Sequence, residues 1–219
     1  VYTLAQIESA TGGFDAKHLL EEGAFGAVFR GAIAGRAVAI KVLKPEAAAV
    51  KVAKKHEQFV GAGGFHKELE VLSKYKHQNI VELLGHCLSD DLTAQQCLVF
   101  EFMEGGSLKS RIAGGPALAA QQRFDVASDI ARGLGYLHTQ ADPPIIHQDV
   151  KSDNVLLDEV GGKLVAKVAD FGTAREVSEL LEGRGHHSTQ MVIGTRGYMP
   201  AEYANGQVSD KTDTYAFGV

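Results

Sequence analysis

The run His147-Gln148-Asp149-Val150-Lys151-Ser152-Asp153-Asn154 sets a carboxylate ahead of a cation two positions on and an amide five positions on. Asp170-Phe171-Gly172 adds a second carboxylate sixteen residues after Asn154. Asp149 has the type of a base, and Lys151 can neutralise charge. Asn154 and Asp170 offer the oxygen ligands that a hard cation prefers. Such a set suits moving a phosphate held by a metal. Each of these residues alone reads as an ordinary solvated loop charge; the order of the set carries the argument.

Upstream, Glu22-Gly23-Ala24-Phe25-Gly26-Ala27-Val28 is a glycine loop between two predicted strands. Glycines let backbone N–H groups approach phosphate oxygens closely. A bare β-turn would read the same way. Position adds weight, because Lys41 ends the apolar run Val38-Ala39-Ile40 fifteen residues after Gly26. A lysine closing an apolar strand is costly unless paired.

The elements that must position these groups follow from periodicity. Residues 1–17 predict a short amphipathic helix and a linker, with a capping box from Thr3 to Gln6 and a stop at Gly12-Gly13. Ala27-Val28-Phe29 and Ala37-Val38-Ala39-Ile40 predict strands within 19–44. Residues 46–60 predict a helix whose Lys51, Lys54 and Lys55 form a solvated face, broken by Gly61 to Gly64. A second helix is predicted from about Phe65 to Tyr75, with Glu68 between Phe65 and Leu72 on one side. Strands are predicted at 80–88 and 96–102, a hinge at Met103 to Ser107, and a long helix over 118–138 with Ala127, Ile130, Leu134 and Leu137 on one face. Strands with one main helix, followed by helices, predict an α+β chain of two lobes.

Composition narrows the function classes. The 219 residues carry a formal charge of −5, which disfavours nucleic-acid partners. Cys87 and Cys97 lack zinc-like spacing and predict reduced thiols in a cytoplasmic protein. No apolar run approaches the roughly 20 residues of a membrane span, and no signal peptide is visible. An upstream receptor or adaptor region is compatible with this, since Val1 does not look like a native start.

These motifs together resemble the Ser/Thr protein kinases from about Phe14 to Val219. The chain is most similar to the plant receptor-like and interleukin-receptor-associated (Pelle-like) branch. That likeness rests on Ala10-Thr11…Phe14, on Asn79-Ile80-Val81-Glu82-Leu83-Leu84-Gly85-His86-Cys87, and on Leu98-Val99-Phe100-Glu101-Phe102-Met103-Glu104-Gly105-Gly106-Ser107-Leu108. The resemblance implies residues 1–17 as an N-terminal helix and linker. It implies a small lobe over 18–104 with a five-stranded antiparallel sheet and one main helix, and a mostly helical large lobe over 105–219, cut short at Val219. It implies ATP and Mg2+ in the crevice between the lobes, and protein substrates bearing Ser or Thr. Gly23, Gly26 and Val28 would cover the phosphates, and Lys41 would pair with the α/β-phosphates and with Glu68. Phe100 would stand as gatekeeper, Ala39 and Leu156 would sandwich adenine, and the backbones of Glu101 and Met103 would bond to it. Asp149 would accept the substrate proton, Lys151 would neutralise the moving phosphate, and Asn154 and Asp170 would hold magnesium. Lys151 and Thr195 point to Ser/Thr over Tyr. Among the hydroxyls between Asp170 and Glu202, Thr189 and then Ser188 are the expected phosphosites; His186-His187 reads as exposed loop.

Departures keep other readings open. Gln148 stands where most of the family carries Arg, and it cannot offer a charge-assisted fork to a phosphate. Glu21 replaces the first glycine; facing a phosphate about 5 Å away it would cost roughly 3 kcal/mol, so it is expected to turn outward. Pro200-Ala201-Glu202 inverts the usual Ala-Pro order. A nucleotide-binding scaffold without efficient catalysis is the alternative reading. A small-molecule phosphotransferase is a third, disfavoured by the Gly194-Thr195-Arg196-Gly197-Tyr198 element. Asp213, at the start of the last predicted helix, is expected to bond to the backbone of the catalytic loop.

Overall fold

The computed structural model describes residues 1–23, 26–43, 62–88, 95–178, 194–205 and 207–219. Two compact units emerge, Val1–Lys74 with Glu82–Phe102, and Tyr75–Val81 with Met103–Val219. Both helices and antiparallel sheet are present, so the chain is α+β.

In the first unit, α1 (Leu4–Thr11) begins at Thr3, whose hydroxyl accepts from the Gln6 N–H while the Gln6 amide oxygen accepts from Thr3 N at 2.8 Å. This is the predicted capping box, and Gly12 closes the helix in the left-handed region at φ 63°. Thr11 is fully buried; its hydroxyl donates to Ile7 O at 2.9 Å and accepts from Phe14 N at 3.1 Å. Phe14 then meets Phe29 edge-on with ring centroids 5.6 Å apart.

The sheet comprises β1 (Leu19–Glu22), β2 (Gly26–Ile33), β3 (Arg36–Leu43), β4 (Leu83–Cys87) and β5 (Cys97–Glu101), in the order β1-β2-β3-β5-β4, all antiparallel. Alternation divides its two faces. Phe29, Val38, Ile40, Val42, Cys97 and Val99 gather with Ile7 of α1 in one buried cluster. Val28, Ala39, Lys41, Leu98 and Phe100 fall on the opposite face by register. Gly31 lets α1 sit close, since a Cβ there would lie 3.1 Å from Ala10 O and 2.9 Å from Ile40 Cδ1.

Helix α2 (Ala62–Lys74) departs from the predicted Phe65 start and passes through Gly63 and Gly64. Glycine in a helix interior costs about 1 kcal/mol relative to Ala. Burial of Phe65, Val71 and Leu72 outweighs that cost here. The segment 46–60 and Gly61 lie outside the described residues. The predicted strand at 80–88 also splits. Only Leu83–Cys87 joins the sheet, while Ile80 bridges Val168 and Val81 N donates to Val168 O at 2.9 Å in the second unit.

That second unit contains α3 (Leu108–Gly114), α4 (Ala120–Thr139), β6 (Ile145–Ile146), β7 (Val155–Val160), β8 (Lys163–Val168), β9 (Arg175–Glu176) and α5 (Asp210–Gly218). Helix α4 turns Val126, Ile130, Gly133, Leu134 and Leu137 inward, with Asp129 buried among them. Asp129 bonds Arg132 at 2.7 Å and Ala166 N at 3.0 Å, which ties α4 to β8. Strands β7 and β8 form a hairpin closed by Gly161 and Gly162, both at positive φ. Among the described residues no helix is long and apolar enough to cross a membrane.

Candidate active site

The first unit brings Lys41 and Glu68 together. Lys41 Nζ lies 2.6 Å from Glu68 Oε2, with the Glu68 side chain 3% exposed and that of Lys41 29% exposed. Strand register fixes Lys41 between Val28 and Leu98, and the helical stripe Phe65–Glu68–Leu72 brings the carboxylate to it. Ala39 sits in the same way between Arg30 and buried Phe100. Arg30 lies over the Phe102 ring, 4.5 Å from its centroid. Glu101 N donates to Glu82 O at 3.0 Å, and the Glu101 carboxylate accepts from Glu82 N at 2.7 Å.

At the glycine loop, Gly23 N donates to Gly26 O at 2.9 Å. A Cβ at Gly26 would run into the carbonyl of Val42, so only glycine fits the start of β2. Ala24 and Phe25 lie outside the described residues. Glu21 is exposed, as an outward-turned side chain should be. Its cross-strand partner is nevertheless Val28, which is itself opposite Lys41, so all three stand in one row on one face.

The second unit supplies a meshed loop. Asp149 Oδ2 accepts from Lys151 Nζ at 2.7 Å and from Asn154 Nδ2 at 3.1 Å, and Oδ1 accepts from the Thr195 hydroxyl at 2.8 Å. Lys151 Nζ also donates to Thr195 Oγ1 at 2.9 Å, closing a ring of three side chains. Asn154 Nδ2 donates further to Asp149 O at 2.9 Å, which leaves its Oδ1 as the oxygen available to a cation.

A fully buried carboxylate anchors this loop. Asp213 accepts from the N–H groups of His147 and Gln148, each at 2.8 Å, and lies 2.8 Å from His138 Nε2. His147 is buried, with Nε2 3.0 Å from Ala169 O, so that nitrogen carries the proton and Nδ1 accepts from Asp149 N at 3.3 Å. Ala169 N donates to Asn154 O at 2.8 Å, which tethers the residue before Asp170 to the loop. Asp170 is half-buried in the left-handed region at φ 61°. Its neighbour Phe171 packs edge-on against the His147 ring with centroids 4.7 Å apart. Met103 is buried and accepts from Gly106 N at 3.2 Å; Leu156 is half-buried on β7.

Several of the residues singled out by spacing fall into two groups, one in each unit. Lys41 joins Glu68, and Asp149 joins Lys151, Asn154 and Thr195. Asp213 bonds to the loop backbone as expected. Glu202 is exposed, and Ser188, Thr189 and His186-His187 lie outside the described residues. Tyr203 carries no signal of its own in the sequence, although its hydroxyl reaches the Gln148 side chain at 3.3 Å. No local pattern links positions 55 apart.

Comparison with known proteins follows the same lines. A family model described as protein tyrosine and serine/threonine kinase matches residues 14–219. The chain is 40% identical over 222 residues to Receptor-like protein kinase THESEUS 1 of Arabidopsis thaliana, covering 100% of this chain and 24% of that protein. It is 40% identical over 222 residues to a probable receptor-like protein kinase of the same plant, covering 100% of this chain and 23% of that protein. It is also 40% identical over 221 residues to Leucine-rich repeat receptor protein kinase MSL1 of Oryza sativa subsp. japonica, covering 99% of this chain and 14% of that protein. The chain therefore spans between 14% and 24% of the length of these relatives.

Proposed function

Because the chain belongs to the protein tyrosine and serine/threonine kinase family, we propose that it transfers the γ-phosphate of ATP to serine and threonine hydroxyls of signalling proteins. The ring of Asp149, Lys151 and Thr195 carries this reading. In the proposed step the substrate oxygen forms a bond to the γ-phosphorus, the β–γ bridging P–O bond breaks, and ADP leaves. Asp149 orients the attacking hydroxyl and takes its proton, which passes on to solvent. Lys151 neutralises charge on the phosphoryl group as it moves.

Lys41, fixed by Glu68, holds the α- and β-phosphates. Val28, Ala39 and Phe100 share its sheet face, which supports nucleotide contacts for them, with Gly26 and Glu101 on the same strands and Gly23 bonded to Gly26. Met103 and Leu156 are the proposed contacts of the second unit. Asn154 and Asp170 offer one amide oxygen and one carboxylate, a hard and sparse donor set. This fits Mg2+, which takes one or two carboxylates and draws its remaining ligands from water and substrate phosphates. When bound, the ion screens phosphate charge. Gln148 makes this a kinase without the usual arginine before its base, so turnover does not rely on pairing that position with a phosphorylated loop. Protein substrates, an upstream receptor or adaptor region and a cytoplasmic setting complete the proposal.

Glu21 favours the competing reading, a nucleotide-binding scaffold, because its carboxylate stands in the Val28–Lys41 row. Incubation with γ-labelled ATP and a protein acceptor, followed by phosphoamino-acid analysis, separates the two. Label on serine or threonine supports the kinase. Thermal stabilisation by Mg-ATP with no label on any acceptor supports the scaffold.

A further inference from the structure

The residue before the candidate base is gripped from three sides. Gln148 occupies the left-handed region at φ 70°, costly for a residue with a Cβ. Its N–H is held by Asp213 at 2.8 Å. Its carbonyl faces Gly194, where a Cβ would lie only 2.9 Å away. Its side chain, 6% exposed at the residue level, receives the Tyr203 hydroxyl at 3.3 Å. Tyr203 is 2% exposed and sits in the 3-10 turn Ala201–Asn205. Among the described residues the Gln148 Nε2 has no partner, so the Tyr203 bond is the one side-chain tie the amide makes there. A phenol both donates and accepts, so this tie survives either orientation of the amide.

We infer that Tyr203 is a positioning residue for Asp149: its hydroxyl tethers the Gln148 side chain and so helps to hold the strained residue, and the carboxylate that follows it. The inference rests on the phosphoryl-transfer reading. Tyr203→Phe removes the hydroxyl alone. A lost buried hydrogen bond predicts a roughly three- to tenfold fall in kcat, with KM for ATP within about twofold, since the bond removed is to Gln148, which is not one of the proposed nucleotide contacts. Amide hydrogen exchange at Asp149 quickens in this variant. Gln148→Met reproduces the fall in kcat, and adding Tyr203→Phe to it costs nothing further.

A hydroxyl with a merely structural role would lower Tm yet leave kcat unchanged below the transition. That result overturns the inference, as do losses that multiply in the double variant. If the unaltered chain transfers no phosphate, the phosphoryl-transfer reading fails, and exchange alone decides the tether. Faster exchange at Asp149 in Tyr203→Phe then upholds it, and unchanged exchange overturns it.

Discussion

The two constellations are built by opposite means. Lys41 and Glu68 sit in the middle of a strand and a helix, and regular backbone geometry points both at one spot. Asp149 and Asn154 sit on a loop and its 3-10 turn; Gln148, just before Asp149, is left-handed, and the buried Asp213 holds the backbone N–H groups of His147 and Gln148. The first arrangement needs only the correct face of each element. The second needs an added anchor, because a loop has no ladder of its own to satisfy its N–H groups. Damage to the charged pair should therefore remove chemistry and spare the fold, whereas damage to the anchor should harm both.

The sharpest way to break this contrast is Lys41→Met. Phosphate transfer should drop by about two to three orders of magnitude, with circular dichroism unchanged. Turnover within a few-fold of the unaltered chain would refute the role given to Lys41. Asp213→Ala should destabilise by about 3 kcal/mol or more, since two buried backbone donors and His138 lose their acceptor. Chemical denaturation measures this, and a midpoint shift worth less than about 1 kcal/mol would show that the loop holds itself.

Smaller effects sharpen the comparison within the first unit. Burial pushes the Cys97 thiol up to about 12, with the adjacent Cys87 adding to the shift. The folded state thus keeps a proton that the unfolded chain gives up near pH 9. The resulting contribution is fully present below that pH and is lost as pH climbs towards about 12. Cys97→Val should flatten the fall in Tm across this window. An unchanged slope would contradict the assigned burial. Glu21→Gly should give the smallest change, lowering KM for ATP by less than about threefold, because an exposed carboxylate is screened. A much larger gain would mean that Glu21 faces the phosphates.

The same contrast decides what could be read from the sequence. Periodicity placed α1, β2, β3 and the Glu68 stripe because those side chains obey fixed angular steps along regular backbone. It failed at the start of α2, where tertiary burial overrode two glycines, and at Ile80 and Val81, whose apolar character serves the second unit. The β7–β8 hairpin lies outside the predicted elements, although Gly161-Gly162 between two alternating runs is a recognisable turn signal. The loop around Asp149 was legible only as a motif. Its tautomers, its left-handed backbone and the Tyr203 contact depend on groups distant in sequence.

The most direct test compares the unaltered chain with Asp149→Asn, each given γ-labelled ATP, Mg2+ and a protein acceptor. Asparagine keeps the size of the side chain but is a far weaker base. The account predicts labelled phosphoserine or phosphothreonine from the unaltered chain and a loss of about a hundredfold or more in the variant. Equal labelling by both would contradict it.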